Sequence, residues 1–132
     1  MPSREYSQDP FQSFFDRIPD AYVALDREWR YVLVNPRAGQ LLGRDPKELL
    51  GKVIWMEFPE SAGLPFARAC REAMATQTPM FLEEFYPPLG RWFENRIFPS
   101  PEGLTIYFHD ISQRKETERR LLHQQRMLDE AQ

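Results

Sequence analysis

Four places in this 132-residue chain carry side chains that could do chemistry, and each also has an ordinary structural use. Glu83 and Glu84 are consecutive in MFLEEFY, which reads as a strand. Paired acid/base work needs two carboxylates on one side of a cleft, whereas successive strand residues point to opposite faces. One of the two therefore faces inward and needs a partner for its charge, and the outward one can pair with Arg96 on the neighbouring strand. His109 and Asp110 are divided in the same way, which leaves His109 to surface or interface packing. Cys70 lies with Phe66 and Met74 at i, i+4, i+8 on a helical stretch, the setting of a buried inert thiol. His123, in RLLHQQRM, reads as an ordinary helical residue.

The stretch that must position anything functional is Arg91 to Lys115. From Arg91 to Phe98 the side chains alternate, with Phe93, Asn95 and Ile97 on one face and Trp92, Glu94, Arg96 and Phe98 on the other. The turn Pro99-Ser100-Pro101-Glu102-Gly103 leads to a return strand, Leu104 to Asp110. Leu104, Ile106 and Phe108 face one way there, and Thr105, Tyr107 and His109 the other. Both faces carry large side chains, so one lines a core and the other is covered by a helix or a partner. A charged helix starts at once, with Asp110 or Ser112 able to accept from its first free N–H groups. Asp110 and Arg114, at i, i+4 across the helix start, are expected to form an ion pair that fixes the helix direction.

Upstream, Asp9-Pro10 starts an amphipathic helix with Phe11, Phe14, Phe15 and Ile18 in one stripe, closed by Pro19. Ala21 to Leu25 and Tyr31 to Val34 form a hairpin around DREW. Asn35-Pro36 caps a short helix ending at Gly43, and Asp45-Pro46-Lys47-Glu48 starts another. A longer helix runs over residues 65–76, and Met80 to Tyr86 is the third strand. Val53 to Pro59 fits more than one state. Two strands, several helices and three strands, with a helix at each end, make a five-stranded antiparallel sheet with helices on one face, an α+β domain.

Composition narrows the function classes. The length suits one domain with a moderate core. Net charge is 17 − 20 = −3, so no basic field points to nucleic acid. One cysteine excludes an intrachain disulfide framework and fits a reducing compartment. No apolar run is long enough to span a bilayer, and MPSREYSQDP lacks the apolar core of a signal peptide. The expectation is a cytoplasmic location without direct membrane contact. Leu121 and Leu128, seven apart, can seed a helix pair, and the helix reaches Gln132 without a C-cap, so an output domain is expected beyond it.

Gly90-Arg91-Trp92-Phe93-Glu94, Phe98-Pro99, Gly103 and Asp110-Ile111-Ser112 with Arg114-Lys115 together resemble the C-terminal half of a PAS domain, a small sensory module of bacterial signalling proteins. The last group is similar to that family's D-I-T-x-R-K ending, with Ser112 for Thr, and the likeness extends from Phe11 to Lys115. It implies an N-terminal capping helix over 1–19, a PAS core over 20–112 and a truncated coiled-coil linker helix over 113–132. It also implies a pocket between the concave sheet face and the helical middle. Phe85, Phe93, Asn95, Ile97, Ile106 and Phe108 would face Trp55, Phe58, Phe66 and Cys70 there, either around a small ligand or as a filled aromatic core.

Haem-binding members use a histidine from the long middle helix, and LPFARACREAMAT has none. Flavin photosensors carry a reactive cysteine in an N-C-R-F-L-Q-like stretch, which VIWMEFPE does not match. No cofactor is therefore expected from these motifs; noncovalent flavin, haem with another ligand, or an unknown small ligand stays open. The resemblance implies a homodimer that passes a signal through Asp110, Ile111, Ser112 and Arg114 to an output domain of the same polypeptide. That output is a histidine kinase first, although the kinase's own His-Glu/Asp-Leu-Arg-Thr-Pro box is absent here, and a diguanylate cyclase or phosphatase next. Phe11, Phe14, Phe15, Ile18, Leu121 and Leu128 would make cap and dimer contacts. The rival reading is a small α+β enzyme with Glu83, Tyr107 or Asp110 as a base.

Overall fold

The computed structural model describes residues 20–131. The expected N-terminal helix with Phe11, Phe14, Phe15 and Ile18 lies outside the described residues. The chain runs β1 (Ala21–Asp26), β2 (Tyr31–Val34), α1 (Pro36–Leu42), α2 (Pro46–Leu49), α3 (Ile54–Glu57) and α4 (Pro65–Thr76). It continues through β3 (Met80–Tyr86), β4 (Arg91–Ser100), β5 (Gly103–Asp110) and α5 (Ser112–Glu130). Residues 53–59, ambiguous in sequence, become α3 and the start of a 3-10 turn over Pro59–Gly63.

The five strands form one antiparallel sheet in the order β2-β1-β5-β4-β3. The last strand in sequence is thus the central one, paired with β1 on one side and β4 on the other. Ser100 pairs with Gly103, so the β4–β5 turn is tighter than the sequence suggests: β4 continues through Pro99 to Ser100. Leu104, Ile106 and Ile97 are almost wholly buried on the inner face. Over that face lies α4, which turns Ala67, Ala69, Cys70, Ala73 and Met74 inward. Four of these five side chains are small, so the helix comes close to the sheet without crowding it.

Asn35 ties the first strand to the first helix. Its Oδ1 accepts from the Tyr22 N–H at 3.0 Å and, as the α1 cap, from the Ala38 N–H at 2.9 Å; its Nδ2 donates to the Asp20 carbonyl. The side chain is buried, so each bond replaces one that water can no longer supply. On the far side, Pro fixes the first turns of α1 and α2, and Asp45 accepts from the Lys47 N–H.

Gly103 opens β5 at φ +155°, and a Cβ there would lie 1.9 Å from the Leu25 carbonyl oxygen. The obstruction is the backbone of β1, so relief requires separating the two central strands. We expect Gly103→Ala to lower stability by ~3 kcal/mol in urea unfolding. Gly63→Ala, which meets open space, should stay within about 0.5 kcal/mol of the parent.

Candidate functional site

A cavity of about 70 Å3 opens between the concave sheet face and α3, α4 and the Pro59–Gly63 turn. Val23, Phe93, Asn95, Ile106 and Phe108 supply its floor from β1, β4 and β5. Tyr31, Ile54, Ser61 and Tyr86 are buried around the sides, and the half-buried Leu42, Phe58, Phe66 and Glu84 mark the mouth. Phe93 and Phe108 meet edge to face, with ring centroids 5.8 Å apart.

The polar groups in this wall differ in how they are satisfied. Glu84 accepts from the Phe66 N–H at 2.9 Å and so caps α4 from the neighbouring strand, a bond that Leu64 at the cap position does not make. Burial pushes the Glu84 carboxyl above the usual carboxylate range, and the Phe66 N–H only partly offsets it. Burial likewise raises the Tyr31 and Tyr86 hydroxyls. Asn95 is 7% exposed and Tyr31 2%, and neither side chain has a hydrogen-bond partner among the described residues.

Of the residues expected at a pocket, Phe58, Phe66, Phe93, Asn95, Ile106 and Phe108 line the cavity. Ile97 and Cys70 sit in the core outside its wall, and burial pushes the Cys70 thiol up to about 12. Trp55 packs between Trp29 and Phe66, with centroids at 5.6 and 6.2 Å.

Phe85 is a correction: it points outward, 42% exposed, against Trp92. The pairing Glu84↔Phe93 and Leu82↔Asn95 sets the even-numbered residues of β3 inward, so Glu84 takes the place expected of Phe85. Val23, Tyr31, Leu42, Ile54, Ser61 and Tyr86 were not anticipated. They come from strands, helices and turns remote in sequence, and only Tyr31 and Tyr86, polar residues within apolar runs, carried a signal.

The junction at the end of β5 is a second constellation. Ile111 is buried, and its N–H donates to the Trp92 carbonyl at 2.9 Å. The Trp92 N–H donates to Ser112 Oγ at 2.9 Å, and the Ser112 N–H donates to Asp110 Oδ1 at 2.8 Å. Burial raises the Asp110 carboxyl, but the Ser112 bonds and the Arg91 guanidinium at 2.7 Å outweigh it and hold the group below its usual range.

The expected Asp110–Arg114 ion pair is not formed. Asp110 is still a strand residue and turns to Arg91, so the helical i, i+4 relation never begins there. Arg114 pairs instead with Glu83 on the outer face of β3, as does Lys115 at 2.7 Å, and Lys115 Nζ lies 4.8 Å from the Trp92 ring centre. Arg96, the partner anticipated for the outward glutamate, reaches Asp20 at 3.1 Å. His109 Nδ1 stands 3.6 Å from both Asp20 and Glu94 on the outer face, away from Asp110's partners.

Beyond this anchorage α5 has no buried residue, and Leu121 and Leu128 are 61% and 64% exposed. Among the described residues no helix is long and apolar enough to cross a membrane.

A family model described as the PAS fold matches residues 15–116. No curated protein sequence matches the chain at a significant level. Among solved structures, a domain of an HTR-like protein from Haloarcula marismortui is 24% identical with a TM-score of 0.61, covering 71% of this chain and 99% of that one. A sensory box sensor histidine kinase from Vibrio cholerae is 20% identical with a TM-score of 0.61, covering 80% and 93%. The PAS domain of the histidine kinase ThkA is 22% identical with a TM-score of 0.59, covering 69% and 98%. At these identities the likeness establishes the fold.

The Lys115 hydrogen bond, followed by the nearby positive charges, holds the Glu83 carboxyl below its ordinary value. A depressed folded-state pKa means that the contact contributes fully above the unfolded carboxylate pKa and is lost as pH falls through the folded one. The first turn of α5 should therefore loosen below about pH 4, seen as faster amide exchange (corrected for intrinsic rates) at Lys115, whose N–H donates to the Ile111 carbonyl. Glu83→Gln should reduce that pH dependence, leaving the part that Asp110 contributes through the Ser112 N–H.

Proposed function

Because this chain belongs to the PAS family, we propose that it serves as a sensory and dimerisation module without chemistry of its own. A small molecule in the cavity, or a change of state in a partner, alters the packing of β4 and β5. The junction of Asp110, Ile111 and Ser112 hands that change to α5, and α5 to an output domain on the same polypeptide. A histidine kinase leads as that output, since two of the structural neighbours described above are histidine kinases by name. A cytoplasmic location, with neither nucleic acid nor membrane as a direct partner, accords with the charge and hydropathy of the chain.

One observation carries this reading: cavity and junction share a strand at adjacent residues. Phe93 faces the cavity, while the backbone of Trp92 holds both Ile111 and Ser112. A displacement of the Phe93 ring is thus one peptide unit from the bonds that aim the helix. The outward stretch of α5 supports the dimer. An isolated polar helix is marginal in water even with the i, i+3 and i, i+4 pairs seen here from Arg114 to Arg120, and a second copy along Leu121 and Leu128 would stabilise it. The enzyme alternative loses its candidates in turn: Glu83 is neutralised by two cations, Asp110 by one, and Tyr107 lies on the outer face.

Asn95→Leu, which keeps the side-chain volume, should change amide exchange at Trp92 and residues 112–116 severalfold while leaving α1 and α2 unaltered. An α5 indifferent to the change would overturn the coupling. In sedimentation, the chain should behave as a dimer and the double variant Leu121→Asp, Leu128→Asp as a monomer; a monomeric parent would sink the dimer reading.

A further inference from the structure

The cavity contains a charge that nothing in the described chain balances. Elsewhere the half-buried carboxylates are paired: Glu57 with Arg44 at 2.7 Å, Asp110 with Arg91, and Asp20 with Arg96. Glu84 has no basic partner among the described residues; its one hydrogen bond is the Phe66 N–H. Six aromatic rings surround the same space, those of Tyr31, Phe58, Phe66, Tyr86, Phe93 and Phe108. Their faces carry negative potential, which favours a cation and disfavours an anion. Deeper in, the Asn95 amide and Tyr31 hydroxyl are buried beyond nine-tenths and unpartnered, so each offers an oxygen able to accept an N–H. Arg44, the cation that approaches the mouth over the Phe58 ring at 5.8 Å, is already engaged by Glu57.

We infer that the cavity is built for a small organic ammonium ion, its N–H groups shared by Glu84 and by Asn95 on the neighbouring strand, and its apolar part held by Phe93, Phe108 and Ile106. The inference rests on the sensory reading above and specifies the chemical class that the sensor takes. An anion would meet Glu84 with the same sign of charge. A neutral molecule would leave that carboxylate uncompensated. An ammonium can satisfy the carboxylate and the Asn95 oxygen on the paired strand together. A cavity of about 70 Å3 has room for a compact cation of roughly five non-hydrogen atoms.

The test is a calorimetric titration of the whole chain at neutral pH with three probes of nearly equal shape: isobutylammonium, isobutanol and isobutyrate. Isobutylammonium should bind about tenfold more tightly than isobutanol, the size of one charge-assisted hydrogen bond, and isobutyrate should bind least. Glu84→Gln keeps an oxygen for the Phe66 N–H, so the fold is retained. In that variant the preference for the ammonium should vanish while isobutanol binds as before. Equal or tighter binding of isobutanol to the parent, an ammonium preference that survives Glu84→Gln, or no binding of any of the three would each overturn the inference. The sensory reading fails on a separate readout, the amide exchange of α5 in Asn95→Leu, so the two failures are distinguishable.

Discussion

The backbone of Trp92 is the constraint on which the arrangement depends. Its carbonyl accepts from Ile111 and its N–H donates to Ser112, so the β4–β5 pairing continues one step past the sheet and becomes the anchor of a helix. Ile111 supplies no side-chain cap, but its burial fixes where the chain leaves the strand. Ser112 then uses its hydroxyl for Trp92 and its amide for Asp110, which leaves little freedom in the exit angle. Glu83, Lys115 and the Trp92 ring hold the next turn against the outer face. These exposed ion pairs are individually weak. The direction of α5 comes mainly from the hydrogen bonds that Trp92, Ile111, Ser112 and Asp110 make at the junction, and the charges trim it.

The two faces of the sheet therefore have different duties. The inner face mixes a dense core, under the small residues of α4, with a cavity where packing stops and polar groups remain. The outer face carries a run of rings, Phe81 to Phe98 to Tyr107 to Tyr22, with successive centroids 5.6 to 5.9 Å apart. Phe81 is 63% exposed at one end of that run, and the ion pairs of Glu83, Glu94 and Arg96 share the same face.

How much of this was legible in the sequence follows from where the signals were one-sided. In β4 and β5 the inward set is apolar except Asn95, and the alternation alone sorted the faces. In β3 both parities hold large side chains, so period gave no answer; the register with β4 did, turning Phe81 and Phe85 outward onto Phe98 and Trp92. The Asp110–Arg114 expectation failed because Asp110 lies two residues before the helix begins, where helical spacing does not hold. The caps at Asn35 and Asp45 were readable because their bonds are local. The further bond from Asn35 to Tyr22 was not, because nothing local links residues thirteen apart. The cavity was the least legible feature, since it is defined by what fails to meet.

Trp92 has a further consequence. Of the three tryptophans, Trp29 and Trp55 are packed together near the hairpin turn, whereas Trp92 alone lies beneath an ammonium group carried by the outgoing helix. An indole's emission responds to nearby positive charge and to water. The protein thus contains an intrinsic optical gauge at the seam between its two parts, readable without any attached dye.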